Sequence, residues 1–155
     1  NEVIERVGQA KFLRAQGADH GYATAVKIPP LSFAVLDTET TGFLPRVHHV
    51  AELAGERYEG GAVTATFESL VLPPDELPPH VQVLTHIKPE MLQGKPRIAE
   101  VADAFVKTLG ADTLLVGQNL QFDLGMLTGE GIDLTARPWI DTSLLAALAF
   151  PELKS

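Results

Sequence analysis

Apolar and polar positions along this chain repeat sometimes with a helical period and sometimes with a strand period. The changes of period mark its elements. Val3, Val7 and Ala10 share a stripe with Ile4 beside it, which predicts a helix over residues 1–17 that Gly17 can end. The loop that follows closes on Ile28-Pro29-Pro30. Residues 1–30 read as an N-terminal helical arm or the end of an upstream segment, and equally as a helix packed on the main domain. Ser32–Leu36 is a continuous apolar strand, of the kind buried on both faces. Val50–Tyr58 and Ala65–Leu72 are further strands, and Glu59-Gly60-Gly61 between them predicts an antiparallel hairpin. Pro73-Pro74 stops the third strand.

A Pro-rich connection then leads to a short helix around His80–Ile87. In Arg97–Leu109, Ile98, Val101, Ala102, Phe105 and Leu109 fall on one helical face, with Glu100, Asp103 and Lys107 on the other. Gly110 caps it. Thr113–Gly117 is a fourth strand, Leu120–Gly129 a helix and Trp139–Ile140 a fifth strand. Thr142–Phe150 is a last helix, with Asp141 or Thr142 as its N-cap. Three early strands followed by alternating helices and strands predict an α/β fold: a mixed five-stranded sheet flanked by helices.

Composition narrows the chemistry. The 155 residues suffice for one domain with a core, and they include no cysteine, which excludes a disulfide framework and thiolate catalysis. No apolar run reaches membrane-spanning length and no signal peptide opens the chain, so the expected partner is not a membrane and the expected location is cytoplasmic. The chain opens on Asn1 rather than Met, so it is expected to be a piece of a longer protein. A formal net charge of −8 argues against a broad electrostatic grip on phosphates. A nucleic-acid enzyme carries such a charge when its acids hold divalent cations that meet the substrate first.

The first strand runs into Asp37-Thr38-Glu39 and then Thr40-Thr41-Gly42. Residues i and i+2 of a strand share a side, so Asp37 and Glu39 project together while Thr38 faces away. Two adjacent carboxylates repel unless one takes a proton or a cation sits between them, and hard oxygen ligands suit Mg2+ or Mn2+. Gly42 permits a tight turn whose amides can meet an anion. A bare D-x-E is usually a solvated acidic turn. The full string D-T-E-T-T-G is more demanding: chance places it in such a chain on the order of a few times in a million.

A second constellation opens the helix after the fourth strand: Gln118-Asn119-Leu120-Gln121-Phe122-Asp123. Asp123 lies on the inner stripe formed by Leu120, Leu124 and Leu127, where an acid is costly unless compensated. A nearby backbone amide or basic group would serve, and Asn119 can cap the helix. If the fourth strand lies beside the first, however, this helix begins where Asp37 and Glu39 emerge. Three acids then converge, and a divalent cation explains them economically.

With both constellations in view, Ser32 to Ser155 resembles the DnaQ-like 3′–5′ exonucleases of the DEDD superfamily, which have a ribonuclease-H-like fold. Leu84-Thr85-His86-Ile87 is similar to the family's L-T-G-I-like substrate loop, and Trp139-Ile140-Asp141-Thr142 to its strand-to-helix step. The resemblance implies phosphodiester hydrolysis at DNA or RNA 3′ ends by two divalent metal ions. Asp37, Glu39 and Asp123 are the implied metal ligands and catalytic residues. Thr38, Thr40, Thr41, Gly42, Phe43, Thr85, Ile87 and Asn119 are the implied substrate contacts. Phe43 would stack on the terminal base, or be a core residue after a turn. A polymerase or helicase is the implied partner class, in DNA replication or repair.

The chain departs from the family pattern twice. Gln118 stands where relatives carry His. No His followed some five residues later by Asp, the family's general base and last metal ligand, comes after Asp141; Phe150-Pro151-Glu152-Leu153 resembles the stretch before that motif. The expected domain is therefore residues 31–155, incomplete at its C-terminus and weak or inactive by itself. The competing expectation is a catalytically silent DnaQ-like module for nucleic-acid binding or protein docking. His48 and His49, adjacent on a strand, point to opposite faces and do not chelate together; they read as surface or substrate-edge side chains. No G-x-x-x-x-G-K-[ST] follows a strand, which excludes a P-loop. Glu39 is one methylene too long for the D-x-D of aspartyl-nucleophile phosphatases.

Overall fold

A computed structural model describes residues 31–149. The expected N-terminal arm and residues 150–155 lie outside the described residues. Five strands form one sheet: β1 (Phe33–Thr40), β2 (Val50–Glu59), β3 (Ala62–Leu70), β4 (Leu114–Gly117) and β5 (Trp139–Asp141). Their order is β3-β2-β1-β4-β5. β1 pairs antiparallel with β2 and β2 with β3, whereas β4 runs parallel to both β1 and β5. This is the predicted mixed α/β sheet, with the fourth strand beside the first. Among the described residues, five helices follow the hairpin: α1 (Pro79–Thr85), α2 (Pro89–Leu92), α3 (Ile98–Leu109), α4 (Leu120–Gly129) and α5 (Thr142–Ala149). The sequence pattern missed α2, which is a single turn.

The hairpin turns as Gly60-Gly61 predicts, with φ of 61° and 86°, values that only glycine adopts freely. α3 lies against the inner face of β2 because Gly55 leaves room there. A Cβ at Gly55 would sit 2.9 Å from Leu109 and 3.2 Å from Phe105. Ala34, Leu36, Leu53, Phe105, Leu109, Leu115, Leu120 and Leu127 make the main core, all nearly inaccessible. A second cluster of Ala51, Leu77, Val81, Ile87 and Leu92 packs beside the start of β2.

The expectation that β1 is buried on both faces needs correction. Ala34 and Leu36 are buried, but Phe33 and Val35 are only half-buried on the outer face. There Phe33 stacks on Tyr58 across the sheet, ring centroids 4.9 Å apart. An apolar run meets the needs of one packed face and one stacked face as well as those of two packed faces, so composition alone does not distinguish them.

Candidate active site

β1 continues four residues past Leu36 and carries the strand alternation through the acidic string. Thr38 and Thr40 turn into the core at 8% and 9% exposure. Asp37 and Glu39 share the outer face, the first exposed and the second half-buried. Pairing with β2 shifts between Glu39↔Glu52 and Thr40↔Val50, so Ala51 is an extra residue beside the motif. Bulges of this kind re-aim a strand end.

β4 accompanies β1 only from Phe33 to Val35. Beyond that point the edge of β1 is free, and Asp123 occupies it. Thr38 donates to Asp123 Oδ1 twice, from its backbone N–H at 3.0 Å and from its hydroxyl at 2.6 Å. The acid on the inner stripe of α4 is thus compensated by an amide and a hydroxyl. Asp123 therefore comes to the same strand end as Asp37 and Glu39, bonded to the residue between them. Among the described residues, no three ionisable side chains form a ready-made metal cage.

Electrostatics still joins the three. Burial pushes the Asp123 carboxyl up to about 6, the Thr38 hydroxyl counteracts this, and the charge of Asp37 adds to it. Asp37 is also raised, by the protein packed around it, against a lowering contribution from the Thr38 backbone. Glu39 is raised by burial, then by Asp37, Glu52 and Asp123. Glu52 stands directly across the sheet from Glu39. Its own carboxyl is raised by burial, then by Glu68 and Asp37. Like charges opposed on a sheet destabilise it unless a cation intervenes. The sequence reading did not single out Glu52: the Gly60-Gly61 turn sets only the β2–β3 register, in which Glu52 faces Leu70, and the β1–β2 register that brings it to Glu39 is closed by the longer 41–49 loop. Asp37 and Glu39 offer hard oxygen donors with no ion-pair partner among the described residues, which fits a small divalent cation.

Thr40 donates its hydroxyl to the Gly42 carbonyl at 2.8 Å, and the Thr41 hydroxyl accepts the His49 N–H at 2.9 Å. The Thr85 hydroxyl donates to the Val81 carbonyl and accepts the Ile87 N–H. Ile87 is 2% exposed inside the second core cluster. These side chains shape the strand end and its loops rather than project from them. Phe43 does project: it is 69% exposed, with its ring tilted over Phe122 at 6.2 Å. Gly42 shows no left-handed φ. It is glycine for space, since a Cβ there would lie 2.4 Å from the His48 ring. Asn119 does not cap α4 with its side chain; its backbone is left-handed, φ 53°, and its N–H goes to Asp141 Oδ1 at 3.0 Å. His49 is held between Glu130 at 3.0 Å and Asp75 at 3.4 Å, and His48 accepts the Leu44 N–H. Neither histidine is hydrogen-bonded to Asp37, Glu39 or Asp123. Among the described residues, no helix is long and apolar enough to cross a membrane.

The chain is similar to known proteins over this region. The family model for exonucleases (RNase T group) matches residues 34–155. The chain is 36% identical over 128 residues to a PolC-type DNA polymerase III of Bacillus cereus, covering 80% of this chain and 9% of that protein. It is 31% identical over 127 residues to the DNA polymerase III subunit epsilon of Treponema pallidum, covering 79% of this chain and 59% of that subunit. Among solved structures, exonuclease X in complex with 5′-overhanging duplex DNA shares the fold with a TM-score of 0.64 and 24% identity, over 79% of this chain and 66% of that one. The chain thus spans under two thirds of these relatives' lengths. A strand-end D-x-E joined through its middle residue to an acid on the next helix lies wholly inside the matched segment: the chain belongs to the exonuclease family.

Proposed function

We propose that residues 31–155 form the catalytic domain of a metal-dependent 3′–5′ exonuclease of the proofreading or repair type. The observation that carries this is the pair Asp37 and Glu39: two carboxylates on one face of a strand end, without an ion-pair partner among the described residues, in a chain of the exonuclease family. The family is generally dependent on divalent metals. Asp37 and Glu39 would hold them, with Asp123 contributing its charge and the carboxylate oxygen that Thr38 leaves over. Two ions, Mg2+ or Mn2+, supply Lewis acidity at the scissile phosphodiester when bound.

The chain's own residues hold and orient. Thr38 fixes Asp123, and through it α4, against the strand that carries Asp37 and Glu39. Phe43 is the exposed ring beside the site, suited to stack on a terminal base of any sequence. With a net charge of −8, the protein has little bulk attraction for a polyanion, so the strand end must meet its substrate through bound cations. A DNA strand is the favoured substrate and a DNA polymerase III assembly the favoured context, since relatives carry that name.

The test uses the full-length protein, Mn2+ and a 3′-labelled single strand. Shortening from the 3′ end that disappears in Asp37→Ala supports the proposal. Shortening that survives that change, or a wild type that binds the strand without shortening it, refutes it; the latter outcome would make this a silent binding module.

A further inference from the structure

We propose that Asp141 is a positioning residue for the site: its carboxylate sets the start of α4 and thereby the placement of Asp123. The inference rests on the exonuclease reading for its activity readout, but the tether is geometric and can be tested without it.

Asp141 ends β5 and stands in register beside Gly117, the last residue of β4. It is 8% exposed. Its Oδ1 accepts three hydrogen bonds: from the Asn119 N–H at 3.0 Å, the Ser143 N–H at 2.8 Å and the Ser143 hydroxyl at 2.6 Å. The last two cap α5. The first crosses to the neighbouring strand–helix junction and holds Asn119 in its left-handed conformation, φ 53° and ψ 38°. A residue with a Cβ adopts that conformation only under constraint, even though Asn tolerates it better than most. Thr142 reinforces the junction by donating its hydroxyl to the Gly117 carbonyl at 3.2 Å.

α4 has no side-chain cap of its own, because Asn119 supplies none. Its first turn is therefore oriented from outside, at two points. One is the Asp141–Asn119 bond just before Leu120. The other is the Asp123–Thr38 pair one turn later. These anchors are four positions apart along the chain, so a loosened Asn119 passes directly into the Asp123 carboxylate. A shift of about 1 Å at a catalytic group is enough to cost on the order of 100-fold in rate. Asp141 thus acts through α4 and does not touch substrate.

The geometry distinguishes an acceptor from a charge. All three bonds fall on Oδ1. Asparagine can present its amide oxygen at that point, so Asp141→Asn keeps the tether and the α5 cap while removing the charge. Asp141→Ala removes all three bonds. Ser143→Ala removes only the hydroxyl donor and leaves the tether in place.

The experiment compares these three variants in the full-length protein, with kcat and KM on a labelled single strand in Mn2+ and amide hydrogen exchange at Asn119. Asp141→Ala is expected to lose about 30- to 100-fold in kcat with KM within about threefold, and to lose protection at the Asn119 amide. Asp141→Asn and Ser143→Ala are expected to stay within about threefold of wild type and to keep that protection. Should Asp141→Ala not fold, Asp141→Glu replaces it; its displaced acceptor is expected to give the same loss. Full activity in Asp141→Ala overturns the proposal. So does an Asp141→Asn as inactive as Asp141→Ala, which would mean that the charge itself acts. If wild type shows no hydrolysis, the exonuclease reading fails, and exchange at Asn119 alone still decides whether the tether exists.

Discussion

Asp123 accepts two hydrogen bonds on one carboxylate oxygen, both from Thr38, a residue 85 positions earlier in the chain. Thr38 stands between Asp37 and Glu39 on β1, so the helix that carries the third acid is bolted to the strand at the point where the first two project. The spacing of the three charges is then a property of the packed fold. It does not have to be assembled by a cation.

Removing the Thr38 hydroxyl should therefore disturb both stability and activity. Thr38→Val keeps the backbone N–H bond and the shape but deletes the 2.6 Å donor. A hydrogen bond to a charged partner contributes roughly 1.5–3 kcal/mol, so a loss of about that size is expected in urea unfolding. Thr38→Ser should restore most of it. Hydrolysis by the full-length protein should fall about tenfold in Thr38→Val, a moderate effect because the N–H bond still places Asp123. Equal stability of Thr38→Val and wild type would show that the hydroxyl bond has no net value.

Much of this was legible from local pattern. Alternation placed Asp37 with Glu39, the helical stripe placed Asp123 inward, and Gly60-Gly61 placed the hairpin. What was not legible depends on where one element stops relative to another. Nothing in the sequence says that β4 leaves β1 after Val35, and that gap is what gives Asp123 its amide partner. Asn119 reads as a helix cap because Asn caps helices well; its left-handed backbone follows from Asp141, which lies across a strand pair. Gly42 reads as a turn former, yet its role is room for the His48 ring. Each case is a long-range contact that overrides a sound local preference.

Stability without metal should rise on acidification. The Asp123 carboxyl ordinarily titrates at 3.8 and is pushed up to about 6 in the fold. The folded protein then holds more protons between these values, so its contribution is fully present below pH 3.8 and is lost as pH rises through about 6. Asp37, Glu39 and Glu52 shift the same way. Asp133 and Asp141 are lowered and act only at more acid pH. Unfolding free energy in EDTA should be about 1 kcal/mol larger at pH 5 than at pH 7.5 from Asp123 alone. The slope should flatten in Asp123→Asn. A stability that falls steadily from pH 7.5 to 5 would contradict these shifts.

Metal binding should reverse the cost of the acids. Asp37 and Glu39 are like charges held together with raised proton affinity, so Asp37→Asn should raise the melting temperature of the metal-free protein by a few degrees, on the scale of about 1 kcal/mol. The same change should abolish the upward shift that millimolar Mn2+ gives wild type, since a ligand stabilises only through the native state it binds. Residues 1–155 by themselves should show the Mn2+ shift. Wild type that melts identically in Mn2+ and EDTA would leave the strand end without a formed cation site.

The loop that carries Phe43 should be sensitive to a single methyl group. A Cβ at Gly42 would fall 2.4 Å from His48 Cδ2 and 2.6 Å from Nε2, closer than any real contact. The ring is not free to swing away, because its Nδ1 accepts the Leu44 N–H at 3.0 Å and a β-bridge joins Pro45 to His48. Gly42→Ala must therefore break the Leu44 bond or push the loop, at roughly 1–3 kcal/mol, the usual range for overpacking. His48→Ala costs less, since it gives up one partly exposed bond. The two changes should not add: without the ring, the new methyl group has space, and Gly42→Ala/His48→Ala should be more stable than the sum of the singles by about 1 kcal/mol or more. If the glycine served backbone conformation instead of space, the double variant would show no such recovery, and additivity in urea unfolding would decide for that reading.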